Sequence, residues 1–182
     1  MSAEQSRVLP LIQGEFRISD RPDDVITTIL GSCIATCLHD PVARIGGANH
    51  FLVPGCDKDQ GEELRFGINA MELLINSLIR RGAEKSRLTA KVFGGARMTA
   101  KGSNIGLANA EFAIWFLDNE GIGCVSRSIG GNRGRKLKFW PESGRVSQMF
   151  MTDRMTEAVV PLVDAGDTAR PAASGSGDVT FL

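Results

Sequence analysis

Two runs of apolar and β-branched residues, separated by a turn signal, predict a β-hairpin within the first third of this chain. Residues 34–39 and 44–53 have this composition, which is typical of paired strands. The turn between them begins Asp40-Pro41; proline presets φ for the second turn position, and aspartate can accept hydrogen bonds from the turn backbone. We therefore expect two antiparallel strands joined by a loop of two or four residues.

The register of this hairpin decides which residues of the two strands face each other. Either loop length gives the register in which Asp40 matches Ala43, and this register places Cys33 directly opposite His50. Directly paired Cβ atoms lie roughly 4.5–5.5 Å apart, so a thiol and an imidazole at these positions can share a proton. A bulge at the glycine pair after the turn would slip the register by one residue.

A cysteine paired with a histidine is the basis of thiol hydrolase chemistry. The thiolate is the nucleophile, and a neighbouring imidazole both stabilises it and transfers protons. We expect Cys33 to be the nucleophile, with its thiol pKa lowered by His50. Because Cys33 follows a Gly-Ser turn, we also expect the backbone N–H groups of Ser32 and Cys33 to bind a developing oxyanion.

The rest of the chain alternates strands with two helices. Apolar residues recur at helical spacing over 67–81, and Gly82 stands where a helix C-cap belongs. A second helix is predicted from 103 or 104 to 119, and further strands over 25–30, 88–93, 122–129, 136–140 and 145–151. These elements predict the α/β class, as a layered α/β sandwich around a largely antiparallel or mixed sheet, rather than a doubly wound parallel sheet.

Length and composition predict one domain. The chain has 182 residues, 42% of them hydrophobic, which is sufficient for a core. We expect this domain to cover residues 1–163, and residues 164–182, which are mostly small and polar, to form a disordered tail. The 21 basic and 21 acidic residues balance, which does not favour a nucleic-acid partner. No run is long and apolar enough for direct membrane insertion.

The cysteines indicate a reducing compartment. Cys33, Cys37, Cys56 and Cys124 occur without an apolar N-terminal signal segment, so we expect a cytoplasmic protein with free thiols. The alternative is a zinc site that also uses the two histidines, since sulfur and imidazole are usual zinc ligands. On one strand, however, thiols four residues apart lie about 13 Å from each other. We therefore expect no metal and no organic cofactor, with Cys37 and Cys124 packed as small buried hydrophobes.

Several segments resemble a known family. The run Thr27–Pro41, which contains Gly31-Ser32-Cys33, and the segment 45–51, which contains His50, closely resemble the CheD-type chemoreceptor glutamine deamidases of bacterial chemotaxis. Similar blocks follow at 91–96, 104–106 and 130–136, so the resemblance covers roughly residues 15–150.

The resemblance implies an enzyme that converts selected receptor glutamines to glutamates without a cofactor. By position, its catalytic residues are Cys33, His50 and an upstream threonine, Thr27, which would orient the imidazole. The implied partners are methyl-accepting chemotaxis receptors and a CheC-type phosphatase. A non-catalytic adaptor that binds either partner is the alternative. The combination of Cys33, His50 and Thr27 favours the enzyme, because binding alone needs none of these three groups.

Overall fold

The computed structural model describes residues 6–53, 60–99, 104–152 and 179–181. The predicted strands and the second helix form within about two residues of their expected bounds; α1 begins seven residues earlier than expected, and β1, β2 and β10 were not predicted. In chain order, the strands and α-helices of the described ranges are β1 (Arg7–Pro10), β2 (Phe16–Ser19), β3 (Asp24–Leu30), β4 (Ile34–Asp40), β5 (Ile45–Phe51), α1 (Gln60–Arg80), β6 (Thr89–Gly94), α2 (Ile105–Glu120), β7 (Gly123–Ile129), β8 (Arg135–Trp140), β9 (Arg145–Phe150) and β10 (Val179–Phe181).

The strands form two mixed sheets. Sheet A has the order β1-β3-β8-β9-β10, and sheet B has the order β2-β5-β4-β6-β7. Each contains one parallel pair, β1 with β3 and β6 with β7, among antiparallel neighbours. Both helices pack against sheet B. The predicted α/β class with largely antiparallel or mixed strand pairing is confirmed, with two sheets in the sandwich rather than one.

Two hydrophobic cores lie between the three layers, which are sheet A, sheet B and the helices. One lies between sheet B and the helices and includes Leu38, Phe51, Met71 and Ala113. The other lies between the sheets and consists of the buried residues Leu11, Ile26, Leu30, Ala35, Cys37, Ala48, Phe93, Leu137, Phe139 and Val146. Because side chains alternate along a strand, even-numbered residues of β3 and β5 and odd-numbered residues of β4 face this second core. Cys37 is thus a core residue, as predicted.

The unpredicted strand β1 is held to β3 by a buried carboxylate. Both oxygens of Asp24 accept hydrogen bonds of 2.6 Å from the Arg7 guanidinium, and the Ser19 hydroxyl donates to Asp24 at 2.5 Å. The Arg7 hydrogen bonds hold the pKa of Asp24 below its usual value against the opposing effect of burial. This anchor fixes the segment that continues from β1 through residues 11–15, which borders the site described below.

The β4–β5 hairpin has a different register from the predicted one. Asp40 pairs with Ile45 rather than matching Ala43, so Ala35, and not Cys33, lies opposite His50. The reason is the turn: an Asp40 carboxylate oxygen accepts from the N–H groups of Val42 and Ala43 at 2.9 and 3.0 Å. These bonds hold both residues in the loop, and Arg44 closes it with a φ of 52°.

The observed register differs from the predicted one by two residues, so each side chain stays on the predicted face of the sheet. A slip of one residue would have turned every side chain of one strand to the other side of the sheet, whereas a slip of two moves each side chain along the same face. Cys33 and His50 therefore remain on one face of sheet B as diagonal neighbours. Cα atoms in this relation are about 7–8 Å apart.

The end of the chain differs from the prediction of a disordered tail. Residues 179–181 form β10, which pairs antiparallel with β9 at the edge of sheet A. Most of the predicted tail, residues 164–178, lies outside the described residues.

Candidate active site

The candidate site lies at one end of the space between the two sheets. Cys33 immediately precedes β4, and His50 lies in β5 with its side chain towards sheet A. From sheet A, Thr28 faces His50 directly, because its hydroxyl oxygen is 2.9 Å from His50 Nδ1. The site is therefore assembled from both sheets, which the hairpin alone does not show.

Hydrogen bonds to Thr28 select one tautomer of His50. The Thr28 hydroxyl donates to the Leu11 carbonyl at 2.7 Å, so its single proton is already used. Thr28 can then only accept from His50, which places the imidazole proton on Nδ1. The other nitrogen, Nε2, is left with a free lone pair; it is buried and has no hydrogen-bond partner in the structure. His50 is therefore arranged as a base at Nε2.

The threonine that contacts the imidazole is not the expected one. The sequence predicts that Thr27 orients His50, but the Nδ1–H group of His50 donates its hydrogen bond to Thr28. Strand alternation explains the difference, since Thr28 shares the inner face of β3 with Ile26 and Leu30. Thr27 points to the outer face, where it lines a cavity beside the site. Its backbone carbonyl accepts from the Leu11 N–H at 2.9 Å, which fixes the residue that holds Thr28.

The loop that carries Cys33 is fixed through three consecutive carbonyl groups. The Gly31 carbonyl accepts from Ala96 N–H at 2.9 Å and the Cys33 carbonyl from Gly95 N–H at 2.8 Å. The Ser32 carbonyl accepts from the side-chain amide of Asn109 at 3.1 Å. In a trans peptide the N–H points opposite to the preceding carbonyl. The N–H groups of Ser32 and Cys33 are thus directed away from these contacts, as an oxyanion site requires.

Two residues that sequence reasoning did not select hold this loop in place. Gly94 has a φ of 115°, and a Cβ there would lie 2.1 Å from the Cys33 carbonyl oxygen. Asn109 is buried in α2; besides binding Ser32, its side-chain oxygen accepts from Val53 N–H at 2.8 Å. It therefore links the Cys33 loop to the segment that follows β5. Gly94 lies in the block 91–96 that resembles the family, and Asn109 lies just after the block 104–106. This position was the one feature of the sequence that could have indicated a role for them.

Burial keeps both reactive groups neutral. It raises the pKa of the Cys33 thiol above its ordinary value, an effect opposed by the backbone N–H of Cys33 itself. Burial also lowers the pKa of His50, which is 6% exposed. The expected lowered thiol pKa is therefore wrong: without an imidazolium there is no charge to stabilise a thiolate. The sulfur instead donates to the side-chain oxygen of Gln13 at 3.2 Å.

A cavity of about 430 Å³ adjoins the imidazole. Its wall includes Thr27, Thr28 and His50, and its rim includes Gln13, Ile29 and Lys136. This volume lies within the usual range for sites that bind small molecules or side chains. A substrate side chain that enters here meets the imidazole and the side chain of Gln13, which contacts the Cys33 sulfur.

The described part of the chain contains no group of three or more His, Cys, Asp or Glu residues that could hold a metal ion. Cys56, one of the ligands considered for zinc, lies outside the described residues. In the same part of the chain, no helix has the length and apolar character needed to cross a membrane.

Comparison with known proteins identifies the family. The model of the family described as CheD chemotactic sensory transduction matches residues 52–149. A protein of Cereibacter sphaeroides named probable chemoreceptor glutamine deamidase CheD is 49% identical over 181 residues, which cover 100% of this chain and 88% of that protein. The chain belongs to the CheD family.

Other members of the CheD family show the same degree of similarity. A protein of the same name from Agrobacterium fabrum is 51% identical over 163 residues, covering 89% of this chain and 90% of its own.

Among solved structures, the hypothetical protein YfiH of Bacillus licheniformis aligns with a TM-score of 0.45 and 13% identity, over 69% of this chain and 60% of that protein.

Proposed function

We propose that this protein is a chemoreceptor glutamine deamidase that uses Cys33 as its nucleophile and His50 as its general base. The observation that carries this proposal is the state of His50: a buried imidazole whose Nδ1–H is bound by Thr28 and whose Nε2 is free, on the same face as Cys33. Membership of the CheD family and the names of its relatives supply the substrate class.

The first half of the reaction forms a thioester. The substrate carboxamide enters the cavity, and His50 Nε2 takes the proton from the Cys33 sulfur as the sulfur attacks the amide carbon. The carbonyl oxygen becomes an oxyanion, to which the N–H groups of Ser32 and Cys33 donate. The imidazolium then gives its proton to the amide nitrogen, ammonia leaves, and the glutamine carbon remains bonded to sulfur.

The second half hydrolyses the thioester. His50 Nε2 removes a proton from a water molecule, whose oxygen attacks the thioester carbon through a second oxyanion. The carbon–sulfur bond breaks, and the imidazolium returns a proton to the sulfur. One water has been consumed and one ammonia released, and the receptor glutamine has become glutamate.

The surroundings of the cavity suit a polypeptide substrate. Ile12 and Ile29 are exposed at its rim, 62% and 42% respectively, next to the exposed Lys136. Apolar side chains with an adjacent cation complement an amphipathic helix that carries acidic residues. In this proposal Thr27 contacts the substrate, the receptor's cytoplasmic domain supplies the glutamine, and the protein acts in the cytoplasm. A CheC-type phosphatase remains a proposed further partner.

The test is incubation of the purified protein with a receptor cytoplasmic domain, followed by peptide mass analysis for a shift of about +1 Da at glutamine. Cys33→Ala should abolish the shift and keep receptor binding, because the thiol forms the covalent intermediate and adds little contact area. Cys37→Ala is the matched control, since Cys37 is a core cysteine in β4, the strand that Cys33 immediately precedes. Receptor binding without any mass shift for the unaltered protein would instead support the adaptor.

A further inference from the structure

The side chain of Gln13 contacts the sulfur of the proposed nucleophile. Its oxygen accepts from Cys33 Sγ at 3.2 Å, whereas the steps proposed above give Gln13 no part. Gln13 was not selected from the sequence, where residues 1–20 show only one apolar cluster. A side-chain amide at this distance can exchange hydrogen bonds with the sulfur during the reaction.

The backbone around Gln13 is fixed to the strand that carries His50. Gln13 and Gly14 are the central residues of a turn closed by the Glu15 N–H, which donates to the Ile12 carbonyl at 3.1 Å. Gly14 has a φ of 88°, the left-handed conformation that the second central position of a type II turn requires. The turn bonds His50 twice, from Gly14 N–H to the His50 carbonyl at 2.7 Å and from His50 N–H to the Glu15 carbonyl at 3.0 Å.

A carboxamide can serve the sulfur in both of its protonation states. The oxygen accepts from a thiol, as observed, and the –NH₂ group of the same planar unit donates to a thiolate or an oxyanion. Rotation about the last side-chain bond exchanges the two, and this rotation is free for an exposed side chain such as Gln13. When His50 has removed the thiol proton, the sulfur accepts hydrogen bonds only, and the –NH₂ group becomes the favoured partner.

We propose that Gln13 is a catalytic residue whose side-chain –NH₂ stabilises the Cys33 thiolate and the oxyanion formed on the carbon bonded to that sulfur. This inference rests on the proposed deamidase function. If Gln13 only blocked access to the sulfur, the contact would be the same, but removal of its side chain would increase turnover instead of lowering it.

Three variants separate these roles. Gln13→Glu keeps the shape but replaces the donor by an ionised acceptor, Gln13→Ala removes the side chain, and Asn119→Asp makes the same amide-to-carboxylate change at the exposed end of α2. The first measurement is the rate of Cys33 alkylation by iodoacetamide against pH, located by peptide mass, which needs no receptor. The second is kcat and KM for deamidation of a receptor cytoplasmic domain. Thermal unfolding confirms that each variant is folded.

In Gln13→Glu, we expect the midpoint of the Cys33 alkylation profile to move up by about one pH unit, because a carboxylate repels the thiolate. We expect kcat to fall about 10- to 100-fold in both Gln13 variants. This is at or below the lower end of the range of about 100- to 1000-fold for one lost oxyanion donor, because the side chain is exposed. KM should change little, and Asn119→Asp should match the unaltered protein.

Coincident alkylation profiles for Gln13→Glu and the unaltered protein would overturn the assignment, as would a kcat for Gln13→Ala that is unchanged or increased. A protein that deamidates no receptor would overturn the proposed function alone, since the alkylation profile still reports whether Gln13 acts on the sulfur.

Discussion

Replacement of Thr28 by valine tests the arrangement of the imidazole most directly. Valine has nearly the shape of threonine but no hydroxyl, so the change removes the acceptor of the His50 Nδ1–H bond and the donor to the Leu11 carbonyl together. The imidazole stays buried, but nothing then selects the Nδ1–H tautomer. The proton can move to Nε2, where it prevents the ring from acting as a base towards Cys33.

The expected size of the effect follows from the cost of an unsatisfied buried group. A buried donor that loses its partner costs about 1–3 kcal/mol. If this penalty falls on the catalytically competent tautomer, kcat/KM decreases about 5- to 150-fold. The pKa of His50, which burial already lowers, should fall further, because the imidazolium loses an acceptor. The acidic limb of the pH–rate profile should therefore move to lower pH.

The assay is kcat/KM for receptor deamidation across pH for Thr28→Val, Thr28→Ser and Thr27→Val. Thr28→Ser keeps the hydroxyl and should retain most activity. Thr27→Val alters the cavity lining and not the imidazole, so its effect should fall on KM and leave the acidic limb in place. A folded Thr28→Val protein with unaltered kcat/KM, combined with inactive Thr27→Val, would refute the role assigned to Thr28.

Four further results are expected. As the pH is lowered, kcat/KM should fall with a midpoint below the pKa of an ordinary histidine, because burial lowers the pKa of His50. A pH–rate profile whose midpoint lies above the pKa of an ordinary histidine would contradict this. Gly94→Ala should destabilise the fold by about 1–3 kcal/mol and suppress deamidation, since its Cβ would meet the Cys33 carbonyl; thermal unfolding and the mass assay measure both. Asn109→Ala should lower kcat more than KM, because it releases the Cys33 loop, and steady-state kinetics separate the two. Asp40→Ala should lower the free energy of unfolding in urea by about 3 kcal/mol, because the N–H groups of Val42 and Ala43 lose their acceptor and Arg87 keeps only Glu84 as a carboxylate partner.

The sequence predicts most of the secondary structure and the face of sheet B that Cys33 and His50 share. Hydrophobic alternation determines that face, and it survives the error of two residues in the hairpin register. The register itself depended on the Asp40 carboxylate, which is fully buried and also bonds Arg87 and the Glu84 N–H. Contacts from a segment more than 40 residues away cannot be read from the turn sequence alone.

The residues around the proposed catalytic pair, Cys33 and His50, were not predicted for a related reason. Thr28, Gln13 and Asn109 come from β3, the segment after β1 and α2, and they meet only once both sheets and the helix layer have formed. Adjacent threonines look alike in sequence, although strand alternation places Thr28 with the inward-facing Ile26. Assigning β3 to a second sheet, opposite the hairpin, is the step that the sequence did not supply.

In the proposed mechanism, the neutral state of Cys33 and His50 determines which step needs the most stabilisation. Because burial raises the pKa of Cys33 and lowers that of His50, moving a proton from sulfur to imidazole is uphill in the free protein. An ion pair formed in advance would make the thiol reactive towards any electrophile or oxidant in solution. With neutral groups, proton transfer becomes favourable only as the sulfur bonds to the amide carbon and negative charge passes to the carbonyl oxygen. In this proposal the donors around that oxygen control the rate. Gln13, and the residues Gly94 and Asn109 that fix the Cys33 loop, are therefore more informative sites for mutation than further residues around the imidazole.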